Sequence, residues 1–140
     1  MTQVLVDSTV WSLGLRRSKV SDHPAVVEFA ALVARGQVCL FGAIRQEVLS
    51  GIRDSARFAS LRSHLGWFPM LPVTIEEHDR AAEFFNQCRA RGIQGAHTDF
   101  LICAVAERYQ LPILTTDGDF LGYAKHLPIR LHPPLPETHS

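Results

Sequence analysis

Residues 112–119 read Pro-Ile-Leu-Thr-Thr-Asp-Gly-Asp, a short apolar strand that runs into an acidic turn and then into a helix over 119–125. The chain opens in the same manner. Residues 3–7, Gln-Val-Leu-Val-Asp, form a β-branched run ending on a carboxylate, and helical spacing follows over 10–17. Between these two stretches, strand-like and helix-like segments alternate. Ser21, Asp22 and Pro24 mark a helix start, and Val26, Phe29, Ala30 and Val33 trace one apolar stripe up to Gly36. Residues 37–41 (QVCLF) read as a strand, 43–49 as a helix ending near Gly51, and 54–65 as a helix with Phe58, Leu61 and Leu65 in phase. Residues 68–73 are strand-like but broken by prolines, which suits a sheet edge.

Thr74 and Glu77 make a capping box for a helix over 75–91, stopped by Gly92. Residues 95–98 read as a loop, and 99–108 (DFLICAVAER) as a helix apolar nearly all round and therefore buried. A last strand is expected at 129–131. Alternation of this kind specifies an α/β domain with a mainly parallel sheet covered by helices on both faces. No repeat or linker divides the chain, so one domain is expected over 1–132, with 133–140 (PPLPETHS) as a loose, proline-rich tail.

Composition narrows the function classes. Of 140 residues, 46% are hydrophobic and 20% charged, which excludes a disordered chain. No apolar run reaches the ~18 residues needed to span a bilayer, and the apolar N-terminus is too short for a signal peptide. The expectation is a cytoplasmic protein with no membrane association. Lys+Arg and Asp+Glu number 14 each, so the net charge is zero, which speaks against coating nucleic acid through bulk electrostatics. A local basic strip remains open. Cys39, Cys88 and Cys103 form no Cys-x-x-Cys pair, and no His-Glu-x-x-His helix is present, which leaves neither a disulfide framework nor a zinc site.

The carboxylates carry more. Glu76, Glu77 and Glu83 sit on a capped helix, and Asp22 and Asp54 read as helix starters. Asp7, Glu47, Asp99, Asp117 and Asp119 are placed differently. Asp7 and Asp117 follow strands, and in an open parallel sheet ligands bind beyond the carboxyl ends of strands. Asp99 opens an apolar helix, and Glu47 lies on the helix after the second strand. Each has a local reading as well: an N-cap for Asp7 or Asp117, a first-turn dipole partner for Asp99, a solvated helix residue for Glu47, turn chemistry for Asp119. If the five converge, their mutual repulsion calls for a counter-charge. All-oxygen ligands favour Mg²⁺ or Mn²⁺ over zinc, and such an ion suits phosphodiester hydrolysis by an activated water.

Four segments together carry a family resemblance: V-L-V-D-S-T-V-W at 4–11, R-Q-E-V-L-S-G at 45–51, T-D-F-L-I-C-A-V-A at 98–106 and I-L-T-T-D-G-D-F at 113–120. In this order they resemble a PIN domain and, within it, the VapC-type ribonuclease toxins of bacterial toxin–antitoxin pairs, over about residues 4–131. By that resemblance, Asp7, Glu47, Asp99 and Asp117 match the family's acidic catalytic and metal-binding positions, and Asp119 a fifth, more variable one. Ser8, Thr9 and Thr115 match polar positions that support the ligands or touch phosphate. The sequence departs from the family pattern at Gly118, where relatives often carry a bulky or basic residue, and at Thr9, where Ser or Asn is commoner. The resemblance implies a five-stranded parallel sheet with the first and fourth strands adjacent. It further implies Mg²⁺- or Mn²⁺-dependent endoribonuclease activity, a homodimer and a VapB-type antitoxin partner.

Candidates for gripping the RNA backbone are Arg16, Arg17, Lys19, Arg45 and Arg53, which equally read as solvated helix residues. Trp11 and Phe100 have two readings, base stacking or core packing, and His97 reads as a loop residue or a support for the acidic site. Two rival functions stand beside the nuclease: a PIN-like scaffold that binds RNA or protein without catalysis, and a receiver-type phosphoacceptor. The second needs a lysine after a late strand, for which Lys125 is the sole candidate.

Overall fold

The computed structural model describes residues 2–15 and 22–138. Arg16, Arg17 and Lys19, expected to contact RNA, lie outside the described residues. The centre of the fold is β1 (Val4–Val6), whose three consecutive side chains are all buried. Successive strand residues point to opposite faces, so burial of all three means that both faces of the sheet are covered.

Strand β1 lies between β2 (Val38–Cys39) and β3 (Ile113–Leu114), parallel to both, in the order β2-β1-β3. Val4 and Leu5 face Val38 and Cys39, and Leu5 and Val6 face Ile113 and Leu114. The Asp7 N–H continues the ladder by donating to the Leu114 carbonyl at 2.9 Å. The first strand and the late acidic strand are therefore neighbours, and their carboxyl ends open on the same edge.

The sheet is smaller than five full strands. Residues 68–73 and 129–131 each contribute one isolated parallel bridge, Met70 to Leu40 and Leu131 to Ile113. The reason is local. Leu40 donates to Pro69 O and its carbonyl accepts from Leu71, but Pro69 and Pro72 have no N–H to extend that ladder. At the other edge, Ile113 donates to Arg130 O and accepts from His132 before Pro133 ends the run.

Seven helices surround the sheet among the described residues: α1 (Ser8–Leu15), α2 (Pro24–Ala34), α3 (Gly42–Leu49), α4 (Ser55–Leu65), α5 (Ile75–Ala90), α6 (His97–Tyr109) and α7 (Asp119–Ala124). Asp54 caps α4 by accepting from Arg57 N, and Thr74 with Glu77 forms the capping box of α5. Helix α5 ends at Gly92, where φ is +77° and Ile93 N reaches back to Cys88 O, a closure that glycine adopts without strain. Helix α6 begins two residues before the sequence suggests, at His97. Ala96 holds the N-cap position with no side-chain hydrogen bond, so nothing in the sequence marked that boundary.

Helix α1 packs on α2 and α3, α3 on α4, and α5 on α6. Trp11 donates its indole N–H to Val6 O at 3.1 Å and meets Phe29 and Phe68 edge-on. Phe100 packs on Phe85 and Tyr123. Trp11 and Phe100 are both buried, so the base-stacking reading falls for each and the core reading stands. Residues 133–138, expected as a loose tail, lie against the body: Pro136 is buried beside His23 and Thr116, and Thr138 shares a cleft with Ile93 and Gly118. No helix among the described residues is long and apolar enough to cross a membrane.

Candidate metal centre

The edge where β1 and β3 end gathers the acidic residues. Asp7 comes from the end of β1 and Glu47 from the last turn of α3. Asp99 lies in the first turn of α6, Asp117 follows β3, and Asp119 opens α7. Asp99, Asp117 and Asp119 each present one carboxylate oxygen, and these atoms all lie within 4.8 Å of one another. Asp7 lies outside that triad. Asp117 is tied to the α7 entrance because its Oδ1 accepts the Asp119 N–H at 2.9 Å.

Asp7 is only 3% exposed, and its oxygens accept three close hydrogen bonds, with the Ser8 hydroxyl a longer fourth at 3.5 Å. Oδ1 accepts the Ser8 N–H at 2.8 Å, and Oδ2 accepts the hydroxyls of Thr115 at 2.7 Å and Thr9 at 2.9 Å. Each threonine hydroxyl has one proton and spends it on Asp7. Their oxygens accept in turn, Thr115 from Asp117 N at 3.0 Å and Thr9 from Thr116 N at 3.2 Å. Thr9 and Thr115 thus lock Asp7 to the β3 loop. Thr115 is buried too deeply to touch a phosphate, so of its two expected roles only the supporting one fits. The Ser8 hydroxyl bridges outward to Glu47 Oε1 at 3.2 Å. On the other flank, the Tyr123 hydroxyl donates to Asp99 Oδ2 at 2.8 Å.

Charge repulsion links Asp7, Glu47, Asp99 and Asp117. Burial raises the Asp7 carboxyl above its ordinary value, and Asp117 adds to the rise. Burial and then the charge of Asp7 raise Glu47. Asp99 is pushed to about 6, chiefly by burial and further by Asp7, Asp117 and Glu47, against the opposing hydrogen bond from Tyr123. Among the described residues, no Lys or Arg forms an ion pair with any of these five; the arginine bridges go to Glu28, Glu77, Glu83 and Glu107. An all-oxygen donor set with uncompensated like charges is what a hard divalent cation binds, so the residues fit Mg²⁺ or Mn²⁺.

Other expected residues lie elsewhere. His97 stacks on Phe85 with ring centroids 4.9 Å apart. Arg45 spans to the Arg62 carbonyl of α4 at 3.4 Å. Arg53 is exposed and has no polar partner among the described residues. A groove of about 240 Å³ adjoins Glu47 and is lined on its polar side by Ser12, Arg57, Ser60 and His64. Arg57 and His64 were not singled out from the sequence, nor was Tyr123. The one available signal for Tyr123 was its spacing, one helical turn after Asp119.

The chain matches the PIN domain family model over residues 4–126. Among solved structures it is similar to FitAcB from Neisseria gonorrhoeae, at 18% identity and a TM-score of 0.68, covering 94% of this chain and 98% of that one. It is similar to VapC20 of Mycobacterium tuberculosis, described as a sarcin–ricin loop cleaving toxin, at 20% identity and a TM-score of 0.67, covering 91% and 99%. A toxin–antitoxin complex from Klebsiella pneumoniae aligns at 19% identity and a TM-score of 0.67, covering 86% and 92%. At these identities the likeness is one of fold. No curated protein matches the chain by sequence.

Proposed function

The chain belongs to the PIN domain family, and from that premise we propose that it is a divalent-metal-dependent endoribonuclease, the toxin half of a toxin–antitoxin pair. The observation that carries the reading is the convergence of carboxylates from separate chain segments without a balancing cation. The toxins among its structural neighbours support RNA as the substrate and an antitoxin as partner; a VapB-type antitoxin and a homodimer complete the reading on the sequence resemblance alone.

Asp99, Asp117 and Asp119 are the direct ligands in this reading, with Asp7 outside the triad adding to the negative field. Asp99, Asp117 and Asp119 would hold Mg²⁺ or Mn²⁺, which would supply positive charge for the phosphodiester and lower the pKa of a nearby water. Glu47 Oε1 already accepts the Ser8 hydroxyl, which leaves Oε2 to orient the attacking water and take its proton. As the water oxygen bonds to phosphorus, the bond to the leaving strand breaks and the departing oxygen takes a proton from solvent. Arg45 and Arg53, with Arg16 and Arg17, are the candidates for holding the RNA backbone.

The test is cleavage of structured RNA by the purified chain. Products are expected with Mg²⁺ or Mn²⁺ and none with excess EDTA; cleavage that survives EDTA, or metal binding without cleavage, overturns the reading. Replacing Thr115 by valine removes one of the two hydroxyls on Asp7 Oδ2. Such supporting partners are worth about 10–100-fold, so kcat/KM is expected to fall by that factor while the circular dichroism spectrum is unchanged.

A further inference from the structure

We propose that Tyr123 is a positioning residue of the metal centre, holding the Asp99 carboxylate for the ion, and that residue 95 is glycine to admit the Tyr123 hydroxyl. The inference rests on the metal-centre reading above and goes beyond it to residues on neither strand edge.

Tyr123 lies on α7, one turn past Asp119, and is fully buried. Its ring is held between Phe100, at 4.9 Å and 48°, and Phe120, at 5.1 Å and 71°. Close packing on both sides of the ring restrains it and with it the position of its hydroxyl. That hydroxyl donates to Asp99 Oδ2 at 2.8 Å, and no other donor reaches the Asp99 carboxylate among the described residues. The carboxylate is therefore held by a single donor and keeps its remaining lone pairs free for an ion.

Gly95 supplies the independent observation. Its φ is not among the positive values of the chain, so its backbone does not need glycine. The space does. A Cβ at position 95 would stand 2.1 Å from the Tyr123 hydroxyl oxygen, 2.8 Å from Cζ and 3.0 Å from Cε1. Any side chain there expels the phenol from its place against Asp99. The loop before α6 is thus shaped around a single hydroxyl.

Calorimetric titration of the purified chain with MnCl₂ alone, beside Tyr123→Phe, tests the proposal. Phenylalanine keeps the ring packing and deletes the donor. The Mn²⁺ dissociation constant is expected to rise about tenfold, with the thermal midpoint of the metal-free chain moved by a few degrees at most. In RNA cleavage the Mn²⁺ concentration for half-activity rises in step, while kcat at saturating Mn²⁺ is largely kept. Gly95→Ala is expected to weaken Mn²⁺ binding to a similar degree and to add little on the Tyr123→Phe background. If Gly95→Ala does not fold, Tyr123→Phe decides alone. Mn²⁺ affinity of Tyr123→Phe within twofold of the parent overturns the proposal, whatever happens to stability. A parent chain that binds no Mn²⁺ overturns the metal centre itself, and this inference with it.

Discussion

Asp7→Asn is expected to fold and to lose RNA cleavage by about 10²-fold or more, beyond what loss of a supporting partner costs. The two halves of the expectation have separate causes. Asp7 is buried and its carboxyl is raised by that burial, so its ionised form is held at a cost to the fold near neutral pH. Asparagine has nearly the same shape. Its carbonyl still accepts the Ser8 N–H, and its amide donates to the Thr9 and Thr115 hydroxyls, which rotate to receive it. The thermal midpoint is therefore expected to stay or to rise. What disappears is the negative charge near Asp99 and Asp117, and with it much of the attraction for a divalent ion. Far-ultraviolet dichroism, thermal melting and a cleavage time course read the two halves apart. Undiminished cleavage by a folded Asp7→Asn chain would remove Asp7 from the site.

The second large effect is on stability. Asp99 is raised from 3.8 to about 6, and Asp7 and Glu47 are raised as well. A carboxyl whose folded pKa exceeds its unfolded value binds its proton more tightly in the fold. The stability it lends is present in acid and lost as pH rises through the folded pKa. Metal-free protein is thus expected to weaken between pH 4.5 and 7. For Asp99 the full difference is worth at most about 3 kcal/mol, and solvent at the mouth of the cup brings the expected loss to about 1–2 kcal/mol. Glu77, lowered against its burial by the Thr74 backbone N–H and then Arg108, and Glu107, lowered by Arg80, act in the opposite sense, and their contribution is lost only below about 4.5. Mn²⁺ at a hundred times its dissociation constant returns about 2.7 kcal/mol by mass action. Melting curves from pH 4.5 to 7.5, with EDTA and with Mn²⁺, are expected to diverge as pH rises. Parallel curves, or a metal-free chain that grows steadily more stable toward pH 7.5, would show that the carboxylates do not repel one another in the fold.

The sequence made some of this legible because certain signals are local. The β-branched run before Asp7 and the apolar run before Asp117 declared themselves as strands with acidic ends, and their adjacency followed from the family resemblance. Thr74 with Glu77, and Asp54, carried their caps in plain form. The edge strands were overread because apolar content suggested pairing while the prolines removed the donors that pairing needs. The start of α6 was missed because no side chain caps it.

At the site, the sequence singled out five carboxylates but not which of them would group most tightly. Asp119 sits in the tight triad with Asp99 and Asp117, whereas Asp7 lies outside it, engaged by the Thr9 and Thr115 hydroxyls and the Ser8 backbone N–H. Which oxygens face one another depends on where a loop and a helix turn meet, and spacing along the chain does not encode that. Gly95 carried no signal at all, and Tyr123 only its spacing from Asp119, for the same reason. Their significance is a contact between two segments, not a pattern within either one.

Crystals grown with MnCl₂ and measured for anomalous scattering give the most direct test of the central claim. The account predicts one strong anomalous peak in the cup, about 2.1 Å from carboxylate oxygens of Asp99 and Asp117 and within reach of Asp119. A chain that cleaves RNA with Mn²⁺ while its anomalous peak sits on other residues would contradict it, as would full occupancy of a Mn²⁺ site unaffected by loss of the Asp99 carboxylate.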